Sequence, residues 1–202
     1  MGRFAALLAR HSAPAGLRYA SRSRLANRLK ALSRGLSLFM RRLLMLNGWR
    51  IVRAARAATA FDGEGARLFP GRWNLRGTPM VYVSAHQSLA ALETLVHWQP
   101  LQAREKFKAF LLEWPERITE HLPRQRLPRD WRMEPPPEST RRIGDRWARD
   151  RRSAVLAVPS TLAPADLNFL LNPVHTDFKL IKIGKAIDFD FDPRLLKRGG
   201  RS

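Results

Sequence analysis

The chain alternates in short bursts. In WRIVR (49–53), Trp49 and Ile51 alternate with Arg50 and Val52, a period of two that predicts a short strand. TPMVYV (78–83) repeats the pattern with Val81 and Val83 on one face and Met80 and Tyr82 on the other. KFKAFLLEW (106–114) predicts another strand, SAVLAVPS (153–160) a buried one ended by Pro159, and FKLIKI (178–183) a last one before DFDPRLL closes the domain. Between the first two strands lie AARAATAF and DGEGARLFPG, and the glycines and proline of the latter predict a turn without regular structure.

Helical spacing takes over after the second strand. Ser84 and Gln87 have capping-box spacing for a helix running to about Trp98, with Leu89, Leu92 and Val96 as its apolar stripe. At 100° per residue Glu93 lies about 40° from Leu89, at the edge of that stripe, where a carboxylate is partly desolvated. A second, short helix is predicted over TRRIGDRWARD, after a connection rich in Pro and Arg. Strands and helices mix without a βαβ repeat, which predicts an α+β fold with a mixed sheet core.

Charge separates the chain into two parts. Of 37 Lys and Arg, ten lie in residues 1–44, which hold none of the 17 Asp and Glu, so this fifth of the chain carries half of the net charge of +20. Its apolar bursts, FAALLA and LSLFM, fall short of the roughly 18 to 20 residues of a spanning helix. Composition predicts a basic, poorly ordered N-terminal extension over 1–44, with a basic amphipathic arm or a transit-like segment as alternatives, and a globular domain over 45–202. The absence of cysteine excludes disulfides and agrees with a cytoplasmic location, and five scattered histidines offer no zinc spacing, so no metal is expected. The basic charge by itself allows a nucleic-acid-binding protein, but no helix-turn-helix, RRM or finger pattern accompanies it.

The candidate chemistry lies in GRWNLRGTPMVYVSAHQSLAALETLVHW (71–98). Arg72 and Asn74 on a loop, Tyr82 on a strand and Glu93 on a helix converge if strand and helix pack together, and Arg50 joins them from the first strand. Two arginines, an aromatic ring and one carboxylate suit an anionic ligand with a flat ring and one hydroxyl or cationic centre. A dinucleotide with a nicotinamide ribose meets all three demands; nucleic acid meets the first two. Each residue also has an ordinary reading, as solvated charge or packed core. Ser160, after a buried strand, lacks the GxSxG elbow and a base for acyl transfer. Asn172, Pro173 and His175 form a candidate turn stapled by side-chain hydrogen bonds.

The order WRIVRA…FDGEGARLFPGRWNLRGTPMVYVSAHQSLAALETLVHW, then LPRDWRMEPPPESTRRIGDRWARDRRSAVLAVPS, then NFLLNPVHTDFKLIKI…FDFDPRLL resembles the RES-domain toxins of bacterial RES–Xre toxin–antitoxin pairs. The resemblance spans about Trp49 to Leu196 and makes 45–202 a RES domain. It implies a fold similar to the ADP-ribosyltransferase core of diphtheria-toxin type. It also implies NAD as substrate, with inorganic phosphate as a candidate second substrate, and an Xre-type antitoxin as partner through which alone nucleic acid is contacted. Residue by residue it implies Glu93, Arg72 and Tyr82 as catalytic, and Arg50, Ser160 and Asn74 as substrate-binding, with Arg53 competing with Arg50. On that reading Arg50 and Arg72 hold the pyrophosphate or a phosphate, Tyr82 stacks on nicotinamide, Glu93 stabilises the cation formed as the glycosidic bond breaks, and Ser160 orients the carboxamide or phosphate. Pro70, and Leu75-Arg76 in place of Ser-Pro, depart from the family pattern in the loop. Protein mono-ADP-ribosylation on the same site is the alternative activity.

Overall fold

The structure is a computed structural model that describes residues 44–97 and 105–196. The extension expected over 1–44 lies, Leu44 apart, outside the described residues. Among these, strands β1 (Met45–Arg53), β2 (Val81–Ser84), β3 (Phe107–Pro115), β4 (Thr119–His121), β5 (Val155–Pro159), β6 (Leu167–Leu171), β7 (Lys182–Ile183) and β8 (Ile187–Phe189) form one sheet. Its order is β4-β5-β6-β2-β1-β3-β7, with β8 also paired to β3. Only β4 and β5 run parallel, so the fold is α+β with a mixed sheet. Helices α1 (Glu64–Leu68), α2 (Gln87–Val96), α3 (Glu138–Arg149) and α4 (Pro193–Leu196) surround it.

The alternation read from β2 sorts its residues onto opposite faces. Val81 and Val83 join Phe110, Leu112, Trp114, Val155, Ala157, Phe169 and Leu171 in one core cluster. Met80 and Tyr82 pack with Trp73, Trp147, Leu156, Val158 and Leu170 in another. β5 is buried along its whole length because it contributes to both clusters, as a continuous apolar run demands.

Several elements differ from expectation, each for a physical reason. β6, unread in the sequence, pairs with both β2 and β5 in the middle of the sheet. FKLIKI begins in a 3-10 turn, Thr176–Leu180, and only its last two residues form the expected strand, β7, which β8 follows. A one-turn helix, α1, does form inside DGEGARLFPG, started by Gly63 at φ 77°. Ser84 ends β2 instead of capping α2, whose N-cap is His86 without a side-chain bond. On α2 Leu89 and Ala90 are buried while Leu92 and Val96 are 47% and 57% exposed, so the buried face is turned away from the expected stripe.

One feature of the sheet prepares the site. β1 pairs with β3 along nine residues but meets β2 at one pair, Trp49 with Ser84. Beyond that pair the two strands separate, and the Arg50 guanidinium takes the Tyr82 carbonyl oxygen at 2.6 Å where the ladder has ended. A cavity of about 560 Å³ opens beside this split, lined by Arg50, Arg53, Asp62, Met80, Thr94 and His97 among others.

Candidate active site

Glu93 projects from α2 to the C-terminal end of β5. Its Oε1 accepts hydrogen bonds from Ser160 Oγ at 3.0 Å and from Asn168 Nδ2 at 2.6 Å. No hydrogen bond reaches Oε2 among the described residues, and Glu93 is only partly buried. Ser160 is fully buried, and its oxygen accepts from the amides of Leu162 at 3.1 Å and Ala163 at 3.3 Å. Its single proton therefore goes to Glu93. The expected contact of Ser160 with a carboxamide or phosphate does not fit this arrangement: the hydroxyl is committed within the protein and positions the carboxylate.

The GRWN loop is held together by its own polar residues. Asn74 is fully buried. Its Oδ1 accepts from the Gly71 amide at 2.9 Å and from Tyr82 Oη at 2.8 Å. Its Nδ2 donates to the carbonyls of Ala66 at 2.8 Å and Leu75 at 3.0 Å, and more weakly to that of Thr78 at 3.3 Å. No valence is left for the substrate contact expected of Asn74, which acts as the staple of the loop. Tyr82 Oη also accepts from the Trp73 amide at 3.1 Å. Burial pushes the Tyr82 phenol well above its ordinary value, only partly opposed by the Trp73 amide and by Arg141 and Arg72, so the group stays neutral. Any contact from Tyr82 to a ligand falls to the ring.

The two arginines have different states. Arg72 Nη1 donates to the carbonyls of Trp131 at 2.9 Å and Met133 at 2.8 Å, and Nη2 pairs with Glu134 at 2.9 Å. Its guanidinium thus straps the 131–134 segment to the loop, where the sequence led to an expectation of phosphate. Arg50 lines the cavity, and its buried Nε has no hydrogen-bond partner. Burial lowers its pKa from the ordinary arginine range to about 10, partly offset by Asp62, so the group remains a cation at neutral pH. Arg53 lines the same cavity and pairs with Glu105 at 2.7 Å.

Glu93, Arg72, Tyr82 and Ser160 do not line this cavity; Thr94 and His97 of the same helix do. The cavity thus reaches the C-terminal end of α2, the helix that carries Glu93. Residues missed by sequence reasoning complete the arrangement. Asn168 on β6 binds Glu93, and Ser84 Oγ binds Asn168 Oδ1 at 2.8 Å. Buried Asp145 on α3 accepts from Thr78 Oγ1 and pairs with Arg149 at 2.8 Å, which ties the loop to α3. A polar residue facing inward from a buried strand or helix was the signal for each.

Fold and site together define an α+β domain with a split mixed sheet and a carboxylate clamped at one oxygen. The RES domain sequence pattern matches residues 48–192, and the chain belongs to the RES-domain family. It is 39% identical over 148 residues to the "Toxin Res" of Yersinia enterocolitica, covering 73% of this chain and 97% of that protein. It is 36% identical over 155 residues to the "Prs ADP-ribosylating toxin" of a Sphingobium species, covering 74% and 96%. A chain of the M. tuberculosis MbcT–MbcA toxin–antitoxin complex matches with a TM-score of 0.60 at 18% identity, over 75% of this chain and 87% of that one, which shows a shared fold.

Proposed function

We propose that this chain is a toxin that destroys NAD by cleaving the bond between nicotinamide and its ribose, through phosphorolysis or hydrolysis, and that an Xre-type antitoxin neutralises it. The observation that carries the reading is Glu93: two donors hold Oε1, and among the described residues no hydrogen bond reaches Oε2, at a partly open position. A fixed carboxylate of this kind suits a reaction in which positive charge develops on a sugar carbon. The names of the relatives, Toxin Res and Prs ADP-ribosylating toxin, support toxicity and NAD chemistry.

In the proposed reaction the C1′–N bond breaks with its electron pair moving to the nicotinamide nitrogen, which neutralises the pyridinium. Glu93 stabilises the resulting ribosyl cation. Water then adds at C1′ and loses a proton, giving ADP-ribose, or phosphate adds and gives ADP-ribose 1″-phosphate. Arg50, a desolvated cation that lines the cavity, is suited to the pyrophosphate or the incoming phosphate. The Tyr82 ring serves nicotinamide by stacking, while Arg72, Asn74 and Ser160 hold the surrounding frame.

The Sphingobium relative favours a second reading, in which a protein side chain replaces water or phosphate as acceptor. Product analysis after incubation with NAD, with and without phosphate and with a protein acceptor, separates the three outcomes. Glu93→Gln keeps the shape and removes the charge, and it is expected to slow NAD loss by about 10²- to 10³-fold. Wild-type turnover in a folded Glu93→Gln protein would sink the reading.

A further inference from the structure

The polarity of the bonds around Glu93 is forced in one direction. An ionised carboxylate only accepts, so Asn168 must turn Nδ2 toward Glu93 and Oδ1 away from it. Oδ1 then faces Ser84 Oγ, 2.8 Å away, and Ser84 must be the donor. The chain of donors runs from Ser84 on β2 to Asn168 on β6 and on to Glu93 on α2. Ser160, whose oxygen accepts two backbone amides, supplies the second proton to the same Oε1.

We infer that Asn168, oriented by Ser84, is a positioning residue for Glu93: it fixes the carboxylate plane and determines that Oε2 is the oxygen presented to the substrate. The inference rests on the NAD-cleaving reading and deepens it. The distances rank the two donors. The Asn168 bond, at 2.6 Å, is shorter than the Ser160 bond, at 3.0 Å, and it comes from a central strand paired on both sides. Asn168 is thus the more rigid anchor. Ser84, 4% exposed, sits where water does not readily replace it. Without the Ser84 hydroxyl Oδ1 loses its donor, and the amide is held by side-chain bonding only at its Nδ2 end.

Two variants test this against a purely structural role. Asn168→Asp keeps size and shape but replaces the amide donor by a carboxyl group whose charge repels that of Glu93. Ser84→Ala leaves Asn168 in place and removes only its orientation. Both are expected to lower kcat for NAD, Asn168→Asp by about 10²-fold, as for a displaced reacting group, with KM nearly unchanged. Combined with Glu93→Gln, neither should slow the enzyme further, because the group they position is already gone.

If wild type consumes NAD and Glu93→Gln suppresses it, but Asn168→Asp and Ser84→Ala retain wild-type kcat, the positioning role is overturned and the reading of Glu93 stands. An undiminished rate loss when Asn168→Asp is added to Glu93→Gln also overturns it, since the amide would then act elsewhere. If wild type leaves NAD intact, the functional reading fails and this inference falls with it.

Discussion

Asn74→Ala separates the two roles that Asn74 could have, staple or substrate contact. In the structure the side chain accepts from two donors, the Gly71 amide and Tyr82 Oη, and donates to the carbonyls of Ala66, Leu75 and Thr78. Truncation strands both donors at a site closed to solvent; the carbonyls, with two lone pairs each, suffer less. A stranded buried donor costs about 1–3 kcal/mol, so two give a central value of about 4 kcal/mol. That is a large share of the roughly 5–15 kcal/mol of an ordinary domain. For a domain of this size each kcal/mol moves the thermal midpoint by about 2–4 °C, so a fall of about 8–16 °C is expected. Thermal and urea unfolding measure it, with KM for NAD determined well below the new midpoint. The loss should appear in stability, and KM of the folded fraction should stay near that of wild type. A midpoint within about 2 °C of wild type together with a raised KM would refute the staple, since the side chain would then be touching substrate.

The other variants probe the split sheet and the loop packing. Arg50→Met removes a buried cation whose folded pKa of about 10 lies below the ordinary arginine range. The unfolded chain holds the extra proton between those values, so the cost of burying the charge is present in full below about pH 10 and is relieved only as pH rises through that window. At neutral pH Arg50→Met should leave the thermal midpoint within about 2 °C of wild type or raise it, while abolishing any rise caused by added pyrophosphate; a fall of about 10 °C would make Arg50 a structural pillar instead. Gly144→Ala would drive a Cβ into the Trp73 carbonyl oxygen, a backbone atom that cannot turn aside, and is expected to cost about 3 kcal/mol or more in a urea titration. Gly71→Ala would set a Cβ at 2.6 Å from Tyr82 Oη, an atom held by Asn74 and the Trp73 amide, so it too is expected to lower the urea midpoint.

The sequence was most informative where one physical rule acted alone. Period-two alternation located β1 and β2 and a continuous apolar run located β5, because a strand with one apolar face alternates and one between two apolar layers is apolar throughout. It missed β6, whose DLNFLL reads as neither, since Asn168 faces the site while its neighbours face the core. The Ser84–Gln87 spacing pointed to a capping box, but Ser84 had a competing partner 84 residues away, which local spacing cannot reveal. The stripe on α2 was misplaced for a related reason. Leu92 and Val96 have the right period, yet the sheet lies under Leu89 and Ala90, and that rotation brings Glu93 closer to the buried side.

Residue type pointed to a polar site, but it could not say which atoms would be consumed by the fold. Asn74, Ser160 and Arg72 are the residues one expects around a phosphate or a ribose, and each spends its hydrogen-bonding capacity on backbone or on a neighbouring side chain. That consumption depends on where distant carbonyls and amides come to lie, which is set by the whole sheet and the packing of α3. Among the described residues, Arg50 Nε is a buried donor without a hydrogen-bond partner, and Glu93 Oε2 is an acceptor that no hydrogen bond reaches. A desolvated cation and a carboxylate held at one oxygen give complementary demands for a ligand that carries negative charge at one end and develops positive charge at the other. The loop residues hold the frame around these two atoms, so substitutions in the frame should register first in stability and substitutions at Arg50 and Glu93 first in turnover.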